Sequence, residues 1–68
     1  MKKILILGGS GLIGKALINV MSKEFDVYAT YLKNAVPLIE NKSFKLDIRD
    51  YEAINGILNS VKPQIVIS

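Results

Sequence analysis

The sequence predicts an α/β fold built on a parallel sheet, and three observations carry that expectation. Short apolar runs alternate with stretches of helical period in the order β-α-β-β-α-β. The first and last runs are continuously apolar or β-branched, as expected of strands covered on both faces near a sheet centre. Half of the 68 residues are hydrophobic while only 7% are aromatic, so Ile, Leu and Val build the core.

Residues 3–7 form the first strand, an apolar run closed by Gly8-Gly9. Over residues 12–23 the period changes to that of a helix. Ile13, Leu17, Val20, Met21 and Glu24 share one stripe, mostly apolar, and Lys15, Asn19, Ser22 and Lys23 face water. Residues 26–31 are rich in β-formers (Val27, Tyr28, Thr30, Tyr31) and make the second strand. Residues 32–42 hold Asn34, Pro37 and Asn41 without a sustained period and form a loop. Residues 43–48 alternate Phe44, Leu46 and Ile48 with Lys45, Asp47 and Arg49, the pattern of a third strand. Asp50 caps a second helix, with Glu52 in its first turn and Ile54, Ile57, Leu58 and Val61 on its inner face. Gly56 weakens this helix, which therefore depends on packing. Lys62-Pro63 ends it, and residues 64–68 form the fourth strand.

Composition excludes several kinds of chemistry. The chain has no cysteine and no histidine, so disulfides, thiolate nucleophiles, Ser-His-Asp triads and the common zinc sites are absent, and no metal site is expected. Nine basic residues against six acidic ones give +3, but the charges are scattered, unlike the basic stripe of a nucleic-acid binder. The longest uninterrupted apolar run, residues 4–7, is far shorter than the ~20 residues a membrane span needs. With no export signal and no cysteines, the expected compartment is the cytoplasm. A chain this short buries only ~60% of its unfolded surface on folding alone. Its large apolar fraction fits a sheet designed for burial on both faces. The expectation is the N-terminal part of a larger domain, interrupted in its fourth strand, whose last strand presents an unpaired apolar edge.

The chemistry concentrates in Leu7-Gly8-Gly9-Ser10-Gly11-Leu12-Ile13-Gly14-Lys15, between the first strand and the first helix. Gly8-x-x-Gly11-x-x-Gly14 in that context is a dinucleotide-binding pattern. Gly8 permits the tight turn, Gly11 lets a pyrophosphate approach the backbone, and Gly14 lets the helix pack closely. The helix N-terminus then faces the phosphates. Gly9-x4-Gly14-Lys15 also has the spacing of an ATP-binding P-loop, but Ala16 stands where Ser or Thr would hold Mg²⁺. A glycine-rich turn without a ligand would not need four glycines in seven residues.

The segments ILILGGSGLIGKAL, DVYATYLKN, KLDIRDYEAI and VKPQIVIS together resemble the N-terminal part of an extended short-chain dehydrogenase/reductase. Within that family they are most similar to the dTDP-4-dehydrorhamnose-reductase-like branch, which modifies nucleotide-linked sugars. Leu7 departs from the small hydroxyl residue that many relatives carry, and leaves the glycine motif intact. The resemblance implies a Rossmann-type domain and a nicotinamide dinucleotide. It implies cofactor contacts at Gly8, Ser10, Gly11, Leu12, Ile13 and Gly14, and at Thr30, Tyr31 and Lys33. It further implies that Asp47 reaches the adenine amino group while Ile48 packs on the ring.

No acid stands at the end of the second strand, where an NAD-preferring site carries one on the ribose, and Lys33 could pair with a 2′-phosphate. The cofactor expected is therefore NADP, with NAD as the alternative; Lys33 reads equally well as a solvated loop charge. The family's catalytic Tyr-x-x-x-Lys spacing is absent: Tyr28, Tyr31 and Tyr51 are followed at that distance by Leu32, Ala35 and Asn55. No catalytic residue is assigned. The function expected of the parent is NADP-dependent reduction of a nucleotide sugar or similar carbonyl, with a homodimer compatible. The alternative is a non-catalytic nucleotide-binding subunit of the same fold.

Overall fold

The computed structural model describes residues 1–36, 38 and 42–68. Its elements run β1 (Lys3–Ile6), α1 (Leu12–Met21), β2 (Asp26–Tyr31), β3 (Ser43–Lys45), α2 (Tyr51–Val61) and β4 (Ile65–Ile67). Among the described residues all strand pairings are parallel, and the four strands lie in the order β3-β2-β1-β4. The chain thus moves outward from β1 through β2 to β3, then crosses back to β4 on the far side of β1. With right-handed crossovers, that reversal puts the two helices on opposite faces.

Side-chain parity agrees. Ile4 and Ile6 pack with Val27, Ala29 and Ile18 of α1 in the main core, together with Val36. Lys3 and Leu5 point to the other face. There Lys3 Nζ donates to the Val61 carbonyl at the end of α2 (3.3 Å), and Leu5 is fully buried. This is a Rossmann-like, doubly wound arrangement with β1 in the interior, which explains why β1 has no polar alternation. β4 is equally apolar but, among the described residues, pairs only with β1, and Ile65 and Val66 remain exposed.

α1 differs from the expected amphipathic stripe. Ile18 is its buried residue, with Leu17 and Met21 packed beside it, while Ile13 and Val20 are 77% and 62% exposed. The cause lies at Gly14. A Cβ there would stand 2.8 Å from the Gly9 backbone, so this face of the helix is pressed against the loop. With Gly14 inward, the buried arc becomes Gly14, Leu17, Ile18 and Met21, and Ile13 and Val20 rotate to the rim. Hydrophobic periodicity does not register glycine as an inward residue.

The other differences are at element ends. α1 stops at Met21, where the Ser22 hydroxyl and amide both bond the Ile18 carbonyl, two residues short of the expected end. β3 ends at Lys45 rather than at 48. Leu46 N–H still bonds the Tyr31 carbonyl, but Asp47 then accepts from the Asp50 amide in a turn. Asp50 caps α2 as expected, its carboxylate accepting from Ala53 N–H at 3.1 Å. Lys62 closes α2 in the left-handed conformation (φ 53°), and Pro63 prevents continuation. Of the expected loop at 32–42, Pro37, Ile39, Glu40 and Asn41 lie outside the described residues. No helix among the described residues is long and apolar enough to cross a membrane.

Gly56 lies in α2 with open space where a Cβ would stand. Gly56→Ala is therefore expected to stabilise the protein by about 0.5–1 kcal/mol, by removing backbone freedom from the unfolded chain. Urea denaturation measures this, and a lower midpoint would contradict it.

Candidate functional site

Parallel strands deliver their C-terminal ends to one edge of the sheet, and the crevice above that edge is where such folds bind ligands. β1 ends there at Ile6, and the ladder continues briefly as Leu7 N–H donates to the Ile67 carbonyl (2.8 Å). The chain next turns toward β2. Gly8 takes φ +81°, a conformation that a side chain resists, and its N–H donates to Thr30 Oγ1 at 3.0 Å. Gly9 N–H donates to the Thr30 carbonyl at 2.8 Å. Gly9 is itself buried, and a Cβ on it would meet Ala29, Ile18 and Val36 at 3.0–3.2 Å.

The loop then opens. Gly11 is the N-cap of α1 and has nothing within 4 Å of where a Cβ would stand. Lys15 N–H makes the bond back to Gly11 O, so the amides of Leu12, Ile13 and Gly14 are the donors that a helix start leaves over. Among the described residues no side chain caps them, and no acidic residue stands in the first turn. The three glycines of the motif thus have distinct roles: Gly8 makes the turn, Gly11 leaves space for an approaching group, and Gly14 admits close packing. Lys15 lies in the first turn of α1 and is exposed.

Two grooves flank this loop and share Gly8. One, of about 210 Å³, is bounded by Ser10, Thr30, Tyr31, Leu32, Leu46, Asp47 and Ile48. The other, of about 480 Å³, is lined by Ile6, Leu7, Gly11, Leu12, Ile13, Gly14, Leu17, Ile67 and Ser68. The expected site residues are therefore brought to one edge of the sheet, with Thr30, Tyr31, Asp47 and Ile48 on the β2–β3 side. Lys33 lines neither groove and is exposed just beyond β2. Sequence reasoning placed Gly9 only in the P-loop spacing and did not single out Leu32 or Leu46. Only the adjacent pair Gly8-Gly9 offered a signal, because Leu32 and Leu46 become groove walls through strand pairing alone.

Two findings refine the side-chain roles. The Thr30 side chain is buried and engaged with the loop, so its hydroxyl faces Gly8 rather than open solvent. Asp47 is held by Arg49 through both carboxylate oxygens, Nε to Oδ1 at 3.0 Å and a terminal nitrogen to Oδ2 at 2.6 Å, with the Arg49 amide as a third donor. These bonds stabilise the ionised carboxylate and hold its pKa down to about 2. Asp47 therefore stays an acceptor, oriented and charged, at the groove mouth. A further ion pair, Lys42 with Asp26 at 2.6 Å, lies at the opposite, N-terminal edge of the sheet. The Lys42 hydrogen bond lowers the Asp26 pKa, and Tyr28 packs between Lys3 and Lys42 with both ammonium groups about 6 Å from its ring. That cluster ties β3 to β2 and is remote from the loop.

A parallel sheet whose winding reverses after β3, so that β4 lands on the other side of β1, with a glycine loop and the amides of a helix start at its C-terminal edge, defines a dinucleotide-binding α/β protein. The residues fit such a group: Gly11 leaves its approach open and the leftover amides suit a pyrophosphate. The family model for the NAD dependent epimerase/dehydratase family matches residues 4–68, and the chain belongs to that family. Its cofactor is accordingly a nicotinamide dinucleotide, and its function is NAD(P)-binding and oxidoreductase-like. Among curated proteins and solved structures, none matches.

Gly14→Ala forces a Cβ against backbone atoms that have no rotamer to yield, and should destabilise the fold by about 1–3 kcal/mol. Gly11→Ala meets open space and should change stability by under about 0.5 kcal/mol. Thermal denaturation of the pair checks both, and equal losses would contradict the assignment of distinct roles.

The Asp47 pair has its own pH signature. A carboxylate depressed on folding contributes stability above its unfolded pKa of ~3.9, and that contribution disappears as pH falls through the folded value. Carboxyl carbon NMR should place the Asp47 midpoint near 2, and Arg49→Gln should return it toward the ordinary carboxylate range. An unchanged midpoint in the variant would remove Arg49 as the cause.

Proposed function

We propose that these residues form the cofactor-binding opening of an NADP-dependent reductase that acts on a nucleotide-linked sugar or a similar small carbonyl. The observation that carries the reading is the glycine loop with its free helix amides beside the β2–β3 groove. In this proposal the amides of Leu12 and Ile13 hold the pyrophosphate, and Ser10 and Tyr31 bound the adenosine side. Asp47 accepts from the adenine amino group on its free lone pairs, oriented by Arg49, while exposed Ile48 covers the ring. The bound dinucleotide supplies hydride chemistry, and no residue of this chain is assigned to the transfer itself. Lys33, beyond β2, meets the 2′-phosphate, and the lack of an acid in 28–33 supports NADP over NAD. Resemblance to the dTDP-4-dehydrorhamnose-reductase-like branch supports the nucleotide-sugar class.

The exposed apolar residues Leu12, Ile13, Ile65 and Val66 support the further proposal that the chain is the N-terminal part of a larger dinucleotide-binding domain whose later strands cover this surface. Titration calorimetry with NADPH, NADH and ATP–Mg²⁺ tests the reading in the parent protein. NADPH should bind at least about tenfold more tightly than NADH, and Lys33→Glu should abolish that difference, since an ionic contact of about 1.4 kcal/mol corresponds to that factor. A preference for NADH would overturn the NADP proposal, and selective binding of ATP–Mg²⁺ would overturn the dinucleotide reading.

A further inference from the structure

The glycine loop has to be held in a conformation that its own residues do not enforce. Gly8 and Gly9 carry no side chains, and Gly8 sits at positive φ, which glycine tolerates but does not select. The structure supplies the restraint from β2. Thr30 is 1% exposed, and it receives two successive loop amides: Gly8 N–H on its hydroxyl oxygen at 3.0 Å, and Gly9 N–H on its carbonyl at 2.8 Å. The second contact would survive any substitution that keeps the strand. The first depends on the hydroxyl alone. Gly8 is exposed and belongs to both grooves, so its amide is fixed in direction by one side chain from beneath.

We propose that Thr30 is the positioning residue of the phosphate loop: its buried hydroxyl locks Gly8, and through Gly8 sets the register of the open amides that follow. It acts through the loop rather than by touching the ligand. The role rests on the dinucleotide reading for its consequence, but the hydrogen bond itself does not. Diverting the Gly8 and Gly9 amides to Thr30 leaves the anion-facing donors to the residues after Gly11, where the loop is open. A β-branched residue without a hydroxyl would fill the same space and leave the Gly8 amide without that acceptor.

The test is a comparison of Thr30→Val, nearly isosteric but unable to accept, with Thr30→Ser, which keeps the hydroxyl, in the full chain. Amide hydrogen exchange is read first. In the unsubstituted protein the Gly8 amide should be protected at least about tenfold over that of Leu12, although both residues are exposed. Equal exchange at the two positions overturns the proposal, and this reading requires no variant to fold. Thr30→Val should remove the Gly8 protection and weaken NADPH binding about tenfold, the scale of one hydrogen bond, with Thr30→Ser restoring both to within about twofold. Equal losses in Val and Ser, or unchanged Gly8 protection in Val, also overturn it. Failure of the unsubstituted protein to bind NADPH would count against the cofactor reading, while Gly8 exchange would still decide the role of Thr30.

Discussion

The backbone-to-backbone contact between Gly9 and Gly14 is the constraint on which the rest of the arrangement depends. At that point the loop leaving β1 and the first turn of α1 approach so closely that no side chain fits on the helix side. Close approach fixes the rotation of α1 about its axis, and the rotation decides which residues enter the core. Ile18 is driven between Val27 and Ala29 of β2 and the β1 isoleucines. Leu12 and Ile13 are turned outward over the loop, where they border the larger groove. The same contact aims the start of α1, and with it the uncapped amides, over the C-terminal edge of the sheet. Packing and binding geometry here have one cause.

A second restraint comes from the strand beside it. Thr30 lies in the interior of the sheet, yet its hydroxyl and its carbonyl both accept from the loop. The loop is thus gripped from two directions, by helix contact at Gly14 and by hydrogen bonds from β2. A loop so held presents donors without reorganising when a ligand arrives, which is the physical advantage of a preformed site. Charge at the neighbouring groove is organised in the same way: Arg49 fixes the orientation of Asp47 and keeps it ionised. Both side chains are substantially exposed, so this pair does more for direction than for stability.

Much of this was legible in the chain itself. The order of elements, the parallel sheet, the Asp50 cap and the loop between β1 and α1 follow from period and punctuation, which are local properties. The glycine spacing also marked the loop, because Gly8 sits where a side chain would obstruct the turn and Gly14 where it would obstruct the helix contact. What could not be read were the relations between segments. The amphipathic stripe of α1 was misphased because an inward glycine carries no hydrophobic signal. Nothing local shows that the Thr30 hydroxyl is bonded to an amide twenty-two positions earlier. Arg49 read as the polar half of an alternating strand, until the turn at Asp47 folded it back onto the carboxylate.

The sequence by itself determined which segments become strands and helices, and where the glycine loop between β1 and α1 lies. Those outcomes depend on backbone freedom and side-chain volume within a few residues. Tertiary structure alone decided which face of α1 is buried, which amides the loop spends on β2 and which it leaves open, and that Asp47 is paired. Each of those depends on a close approach between distant segments, and close approach is set by the packed sheet rather than by any local preference.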